Sequence, residues 1–460
     1  MLYFLPSKAF RLFSVFMVLV SSPELAQSRT KVSMDPILSD SRAEASATDG
    51  PHQTNSRAKP VVDASNKQQS ARINRVRSLS PLAQQPDWRA LGAFQRGMSQ
   101  IEFRSLLCDI YAPGGAWSER IKIKDTEALV HDSSGKAIFR FEFATPATAI
   151  ATPAVFWRAR HGKRPRSSPL QGLRIAIDPG HLGGPWARME ERWYQIGDNK
   201  PVIEGDMTLI VAKLLRTELE ARGAIVVLTR EDSRPSTTLR PADLVEEAKH
   251  SLAEQGKSQG AENIRQESEK LFYRTAEIRA RAEKVNKLIK PDIVLAIHFN
   301  AEPWGNAERP RLVDANHLHL LVTGGFTEDE LARDDHLYAM LVKLMSGCFS
   351  EENALARQLA KSLHKVTGLS PYVYKESADA VRVPGSTYVW ARNLLANRLF
   401  ECPVVYLESY VMNNSDVHAR VQAGDYEGTK MIKGKERKSI YREYVEGIVD
   451  GLVAYYAAPQ

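Results

Sequence analysis

The chain has 460 residues, 43% of them hydrophobic and 25% charged. That length exceeds one small domain and can bury at least one large core, while the apolar fraction excludes a polytopic membrane protein. The net charge of +7 favours an anionic partner through long-range attraction, but no nucleic-acid-binding motif accompanies it, so no nucleic acid partner is expected.

Residues 1–26 read as an export signal. Lys8 and Arg11 precede the apolar run from Leu12 to Val20, and the small residues Ser21 and Ser22 follow. Cleavage fits after Ser22 or after Ala26, although Glu24 makes the second site atypical. The run is short for a bilayer span, so no stable membrane span is expected after signal removal; an uncleaved anchor is the second reading. A cell-wall polymer or a membrane surface is then the anionic partner that an exported chain meets, and a periplasmic or wall-associated location follows.

Residues 27–87 read as a disordered tether. No aromatic residue occurs from Ser28 to Asp87, and such a stretch buries too little apolar surface to offset its ordering entropy. Residues 88–152 read as a small α+β module. MSQIEFRSLLCDIY has helical spacing with Ser99 as cap and Glu102 three residues on. RIKIKDTEALV and KAIFRFEFA alternate like half-buried strands around the turn DSSG. No chemistry can be named in the module from its sequence; it is expected either to position an enzyme on its substrate or to stabilise the fold. Residues 153–172 form a basic, Pro-containing linker.

The last domain spans residues 173–460. Strands are expected at 173–178, 224–229, 292–298, 316–322 and 403–408, and helices at about 206–222, 274–289, 351–367 and 437–456. The alternation predicts an α/β fold, a mixed, mostly parallel sheet with helices on both faces. Two long segments, 233–271 and 327–348, interrupt it and read as largely helical. Three cysteines, Cys108, Cys348 and Cys402, are too few for a disulfide framework and lack zinc-knuckle spacing. Buried free thiols are expected, with a Cys348–Cys402 bridge as the alternative.

Four side chains stand at the ends of these elements. His181 follows Asp178-Pro179-Gly180, a sharp turn that leaves an imidazole on the sheet rim, with glycines at 183 and 184. Glu204 precedes an amphipathic helix, where a carboxylate is favoured by the dipole whatever else it does. His298 ends the buried run DIVLAIHFNA, beside Asn300. Glu408 ends CPVVYLE, where a carboxylate is costly unless paired, metal-bound or functional. Two imidazoles and one carboxylate are a common ligand set for a catalytic zinc, and a further carboxylate can move protons.

In their order along the chain, IAIDPGHLGG, EGDMTLIVAKLL, GAIVVLTR, RAEKVN, DIVLAIHFNA and PVVYLESYVMNN resemble the zinc-dependent N-acetylmuramoyl-L-alanine amidases of bacterial cell-wall metabolism, the amidase-3 family. The resemblance covers about Leu173 to Tyr456. It implies one zinc ion held by His181, Glu204 and His298, with Glu408 as the catalytic carboxylate and Arg281 matching the family's arginine in its helix. Arg281 then organises the site or contacts substrate; the plain alternative is a surface ion pair. The implied substrate is peptidoglycan, cut between muramic acid and the first L-alanine of the stem peptide.

There are departures from the family pattern. The loop between His181 and Glu204 is long and holds Glu190 and Glu191, either of which could compete for the metal. His317 and His319 share one face of a strand, where a structural role is the expected one. Asn413 and Asn414 are expected to shape the turn after Glu408. Some family members carry a helix that blocks the zinc until an activator protein displaces it. Residues 327–347 stand at a comparable place and could offer Glu328 or Glu330; a solvated surface helix is the simpler reading. A peptidase acting within the stem peptide and a catalytically silent wall-binding protein are the alternatives to the amidase.

Overall fold

The computed structural model describes residues 78–149, 168–374 and 380–458. The expected export signal, the tether up to residue 77 and most of the basic linker lie outside the described residues.

The alternating segments of the amino-terminal module form an antiparallel sheet of β1 (Ile121–Ile123), β2 (Glu127–His131) and β3 (Ala137–Glu142). Helix α1 (Gln100–Leu106) precedes it, and Ser99 caps it by accepting from the Glu102 N–H at 3.2 Å. The inward faces, with Phe103, Tyr111, Val130 and Phe141, belong to the same hydrophobic core as the large domain. The backbone N–H groups of Gly325 and Phe326 donate to the carbonyls of Ile110 and Tyr111 at 2.8 and 2.6 Å.

In the larger domain, apolar runs form β4 (Arg174–Pro179), β7 (Ile225–Leu228), β8 (Ile293–Asn300), β9 (His317–Val322), β12 (Val389–Arg392) and β13 (Val404–Val411). Between them lie four short strands, β5 (Trp193–Tyr194), β6 (Val202–Ile203), β10 (Ser370–Pro371) and β11 (Ala380–Arg382). The main sheet has the order β11-β12-β9-β13-β8-β4-β7, with β10 added on β9. Only β9–β13 and β11–β12 pair antiparallel, so the sheet is mixed and mostly parallel, as expected.

Both sheet faces are covered. On one, Ile177, Leu295, Leu407 and Leu320 pack against Val211 and Leu215 of α2 (Glu204–Glu220), Leu359 of α8 (Cys348–Thr367) and Ile448 of α11 (Ile440–Ala457). On the other, Ala176, Val294, Ala296, Val404 and Tyr406 meet Ala282, Val285 and Ile289. These last belong to a long helical rod from Ala261 to Ile289, in which α4 (Ala261–Lys270) and α5 (Glu277–Glu283) are each followed by a wider π-helical turn. The segment expected to be helical before it contains α3 (Val245–Glu254). Among the described residues no helix is long and apolar enough to cross a membrane, and all three cysteines are free.

Two expectations are corrected here. Residues 78–82, assigned to the tether, are held on the large domain: the Ser80 N–H donates to Asp335 at 2.8 Å, Arg333 donates to the Leu79 carbonyl at 2.9 Å, Arg279 donates to the Pro81 carbonyl at 3.2 Å, and Leu82 packs in an apolar cluster with Leu244 and Phe272. The tether reading therefore does not extend to these residues. Segment 327–347 is neither a metal-blocking helix nor a solvated one. It forms α6 (Glu328–Leu331) and α7 (Asp334–Met345), whose apolar side packs into the core beneath the module. Arg120 of the module pairs with Asp334, and Glu330 accepts from the Thr327 N–H in its own capping box. The remaining helices are α9 (Leu395–Leu399) and α10 (Ser415–Gln422).

Candidate active site and metal centre

The parallel strands β4, β8 and β13 end on one rim, where the chain turns and can present side chains beyond the sheet. Register fixes which ones. Glu408 pairs with His298, and Ala296 with both Asp178 and Tyr406, so alternation along each strand places Asp178, His298 and Glu408 on the same face. The His298 ring stacks on Tyr406 with centroids 4.1 Å apart.

His181 sits just past β4 with φ +59°, a left-handed conformation that a β-carbon resists. Two buried guanidinium groups hold that turn. Arg281 donates to the carbonyls of Pro179 at 2.8 Å and His181 at 3.0 Å, and to Asp178 at 3.2 Å, while its Nε pairs with Glu277 at 2.8 Å. Arg230, the last residue of GAIVVLTR, donates to the carbonyls of Pro179, Gly180 and Gly205. Arg281 is thus a buried organiser of the turn, not a surface ion pair. Two glycines allow the close approach. A β-carbon at Gly180 would stand 2.1 Å from the His298 ring, and one at Gly205 would stand 2.2 Å from the backbone of Gly183. The second contact brings the start of α2 against the His181 loop.

The three expected ligands meet. His181 Nε2 lies 3.3 Å from Glu204 Oε2, and His298 Nδ1 lies 3.2 Å from Glu204 Oε1. One ligand atom from each of the three lies within 4.8 Å of the others, and among the described residues no other group of three or more acidic, histidine or cysteine side chains does this. The donor set suits a metal ion. Glu204 is fully buried, and its Oε2 has no well-aligned hydrogen bond, only the 3.3 Å contact with His181 Nε2 and Arg192 Nε at 3.8 Å; a buried carboxylate so placed gains from a cation between it and the rings. Burial opposes ionisation of Glu204, but the charge of His181 and the hydrogen bonds of both histidines hold it well below the usual carboxylate range. Burial pushes His298 down to about 4, so its ring is neutral and has a lone pair to offer.

Glu408 is also fully buried, with both carboxylate oxygens unpartnered among the described residues. Burial, then the charge of Glu204, push it up to about 8. A carboxylate so poised exchanges protons near neutrality.

The long loop does not add a competing ligand. Glu190 turns back: its Oε2 accepts from the Leu182 N–H at 3.0 Å and stands 3.6 Å from His181 Nδ1, the nitrogen not facing Glu204. Glu191 is exposed on the loop with φ +56°. Residue-type reasoning missed Arg192, whose Nε is 3.8 Å from Glu204 Oε2. It stands next to two acidic residues in a polar loop, which reads as a solvated charge run. It also missed Arg230 and Tyr444, whose hydroxyl donates to the His298 and Leu407 carbonyls at 3.1 Å each. His319 pairs in register with Glu408 and has its Nε2 3.1 Å from the Tyr374 hydroxyl, while His317 Nε2 is 3.3 Å from Glu302. Asn300 accepts from the Ala301 N–H, and Asn413 and Asn414 tie the turn after β13 to Glu302 and Val313.

Residues 175–434, more than half of the chain, match the family described as N-acetylmuramoyl-L-alanine amidase. Among solved structures, the chain is similar to the N-acetylmuramyl-L-alanine amidase Ami1 of Mycobacterium abscessus at 18% identity, covering 62% of this chain and 99% of that one, with a TM-score of 0.35. The CwlD amidase of Clostridioides difficile, solved in complex with the GerS lipoprotein, matches at 14% identity over 61% of this chain and 96% of its own, with a TM-score of 0.33. The catalytic domain of the amidase CwlV of Bacillus (Paenibacillus) polymyxa var. colistinus matches at 16% identity over 61% and 96%, with a TM-score of 0.32. No curated protein matches the chain.

Proposed function

The chain belongs to the N-acetylmuramoyl-L-alanine amidase family, and from that premise we propose that it hydrolyses the amide between N-acetylmuramic acid and L-alanine in peptidoglycan with one zinc ion held by His181, Glu204 and His298. The observation that carries this reading is the convergence of those three side chains, beside a buried Glu408 with neither oxygen hydrogen-bonded among the described residues.

When bound, zinc supplies Lewis acidity, polarising the scissile carbonyl and lowering the pKa of a water to about 7. Glu408 accepts a proton from the attacking water as the new C–O bond forms. It then delivers that proton to the nitrogen of L-alanine as the C–N bond breaks. The products are a glycan bearing a free lactyl carboxylate and a stem peptide with a free amino terminus, so atoms and charge balance. Arg281 and Arg230 keep the His181 turn in its left-handed conformation throughout. Residues 1–26 fit export to the compartment where this polymer lies.

The test is mass spectrometry of purified sacculi digested with and without a chelator. Intact stem peptides beginning with free L-alanine, lost on chelation, are expected. Cleavage inside the stem would favour a peptidase instead, and no cleavage a silent wall-binding protein.

A further inference from the structure

We propose that Arg192 is a catalytic residue that donates to the scissile carbonyl oxygen and holds the negative charge gathering there as water adds. This rests on the amidase reading above and names a residue that reading does not use.

The position of Arg192 is fixed by the loop that carries it. Its N–H donates to the Ala187 carbonyl at 2.9 Å, and its own carbonyl accepts from the Glu204 N–H at 3.3 Å. The next residue, Trp193, pairs with Ile203 in the β5–β6 hairpin and lies under the Arg188 guanidinium at 3.6 Å. The hairpin therefore ties Arg192 to Glu204, at the first turn of α2, from both sides.

Its side chain is only 14% exposed, yet it makes no hydrogen bond among the described residues; its nearest acidic oxygen is Glu204 Oε2 at 3.8 Å. Arg230 and Arg281, on the same rim, direct their donors onto backbone carbonyls and acidic side chains. Of the three, Arg192 alone makes no side-chain hydrogen bond among the described residues, with its Nε 3.8 Å from the Glu204 oxygen that faces His181. Its charge also acts on Glu408 across the site. A cation there opposes binding of a dication, so its presence calls for a compensating task. A carbonyl oxygen that becomes anionic between Glu204 and Glu408 provides one, because a fork of five N–H donors that needs no reorganisation is worth most where charge develops in a water-poor pocket.

The plain alternative is that Arg192 only neutralises Glu204. The two roles predict different outcomes. Arg192→Gln and Arg192→Lys are made in the full chain, and zinc affinity is measured by competition with a chromophoric chelator. Hydrolysis of a soluble muropeptide is then followed at equal zinc occupancy. For Arg192→Gln we expect kcat to fall about 10²–10³-fold with KM changed far less. Zinc should bind as tightly as before or more tightly, and Arg192→Lys should recover part of kcat. An unchanged kcat in the zinc-loaded Gln variant overturns the proposal, as does a loss traced wholly to weaker zinc binding or a lowered melting temperature. If the wild-type protein cleaves and only the variant result fails, this inference falls alone; if the wild type releases no L-alanine amine, the amidase reading falls with it.

Discussion

Glu190 Oε2 stands 3.6 Å from His181 Nδ1, on the side of the ring opposite the 3.3 Å contact between His181 Nε2 and Glu204. The carboxylate is itself fixed by the Leu182 N–H at 3.0 Å, so it braces the Nδ1 side of the His181 ring while Nε2 faces the cluster. Partners of this kind set ring orientation and typically contribute 10–100-fold in metal affinity. Glu190→Gln should therefore weaken zinc binding by about that factor while leaving the metal-free protein folded. Chelator competition measures the affinity, and circular dichroism of the metal-free variant checks the fold. Equal affinities would reduce Glu190 to a loop brace.

Glu408 differs in kind from the three side chains of the candidate metal site. It is buried with both oxygens unpartnered, and it stands outside the cluster that His181, Glu204 and His298 form. Glu408→Gln should keep zinc at wild-type stoichiometry and lose about 10²–10⁴-fold in kcat, the usual cost of removing a general acid and base. Metal analysis and turnover on the same preparation provide the check. A variant that lost zinc in proportion to its activity would make Glu408 a ligand instead.

The places of His298 and Glu408 were legible because each closes a continuous apolar run, a pattern that buried parallel strands produce, although β8 and β13 continue to Asn300 and Val411. The Gly-rich loop after His181 was legible for a different reason: only glycine permits the backbone contact between Gly183 and Gly205. What stayed hidden depends on distant partners. Glu190 and Arg192 sit in a charged loop whose regular structure is one 3-10 turn, Gly184–Trp186, and a pair of two-residue strands, all too short to leave a periodic trace. Ser80 looks like part of a polar tail until Asp335, 255 positions along the chain, accepts its N–H. Helix α7 has an apolar stripe that composition cannot match to a partner, and its cover turns out to be the module.

The same helix carries a pH-dependent contribution to stability. His336 is buried, and its Nε2 accepts from the Arg398 guanidinium at 2.8 Å, which requires that nitrogen to be unprotonated. Burial first, then the charge of Arg398, hold the ring well below its usual value; Asp335 opposes this, while Arg333 and Arg279 add to it. In the unfolded chain the ring titrates near 6.5. Below that pH the unfolded state takes up a proton that the folded state refuses, so stability falls as pH drops, with a slope of up to about 1.4 kcal/mol per unit. Above about 7 the group contributes no slope. Urea unfolding between pH 7.5 and 5.5 should show His336→Gln losing less stability than wild type, since the amide oxygen still accepts from Arg398. Parallel slopes for the two proteins would remove His336 from the account.

Lys343 and Glu352 form a fully buried ion pair, with Nζ 2.9 Å from Oε1, that joins α7 to α8. The ammonium also donates to the Cys402 carbonyl at 2.6 Å, and the carboxylate accepts from the Val404 and Thr323 N–H groups at 3.1 and 3.2 Å. Glu352 thus anchors the start of β13, the strand that carries Glu408, and the chain just past β9. Removing one partner leaves an uncompensated buried charge, which costs about 3–5 kcal/mol, whereas removing both trades ion for packing and is often nearly neutral. Glu352→Leu should therefore destabilise the protein by about 3–5 kcal/mol in urea unfolding. The double variant Lys343→Met, Glu352→Leu should recover part of this. Recovery stays incomplete because Thr323 and Val404 each lose an acceptor, at about 1–3 kcal/mol per buried donor. A Glu352→Leu cost below about 1 kcal/mol, or a double variant no better than the single, would mean that water reaches the pair and the charges are not isolated from solvent.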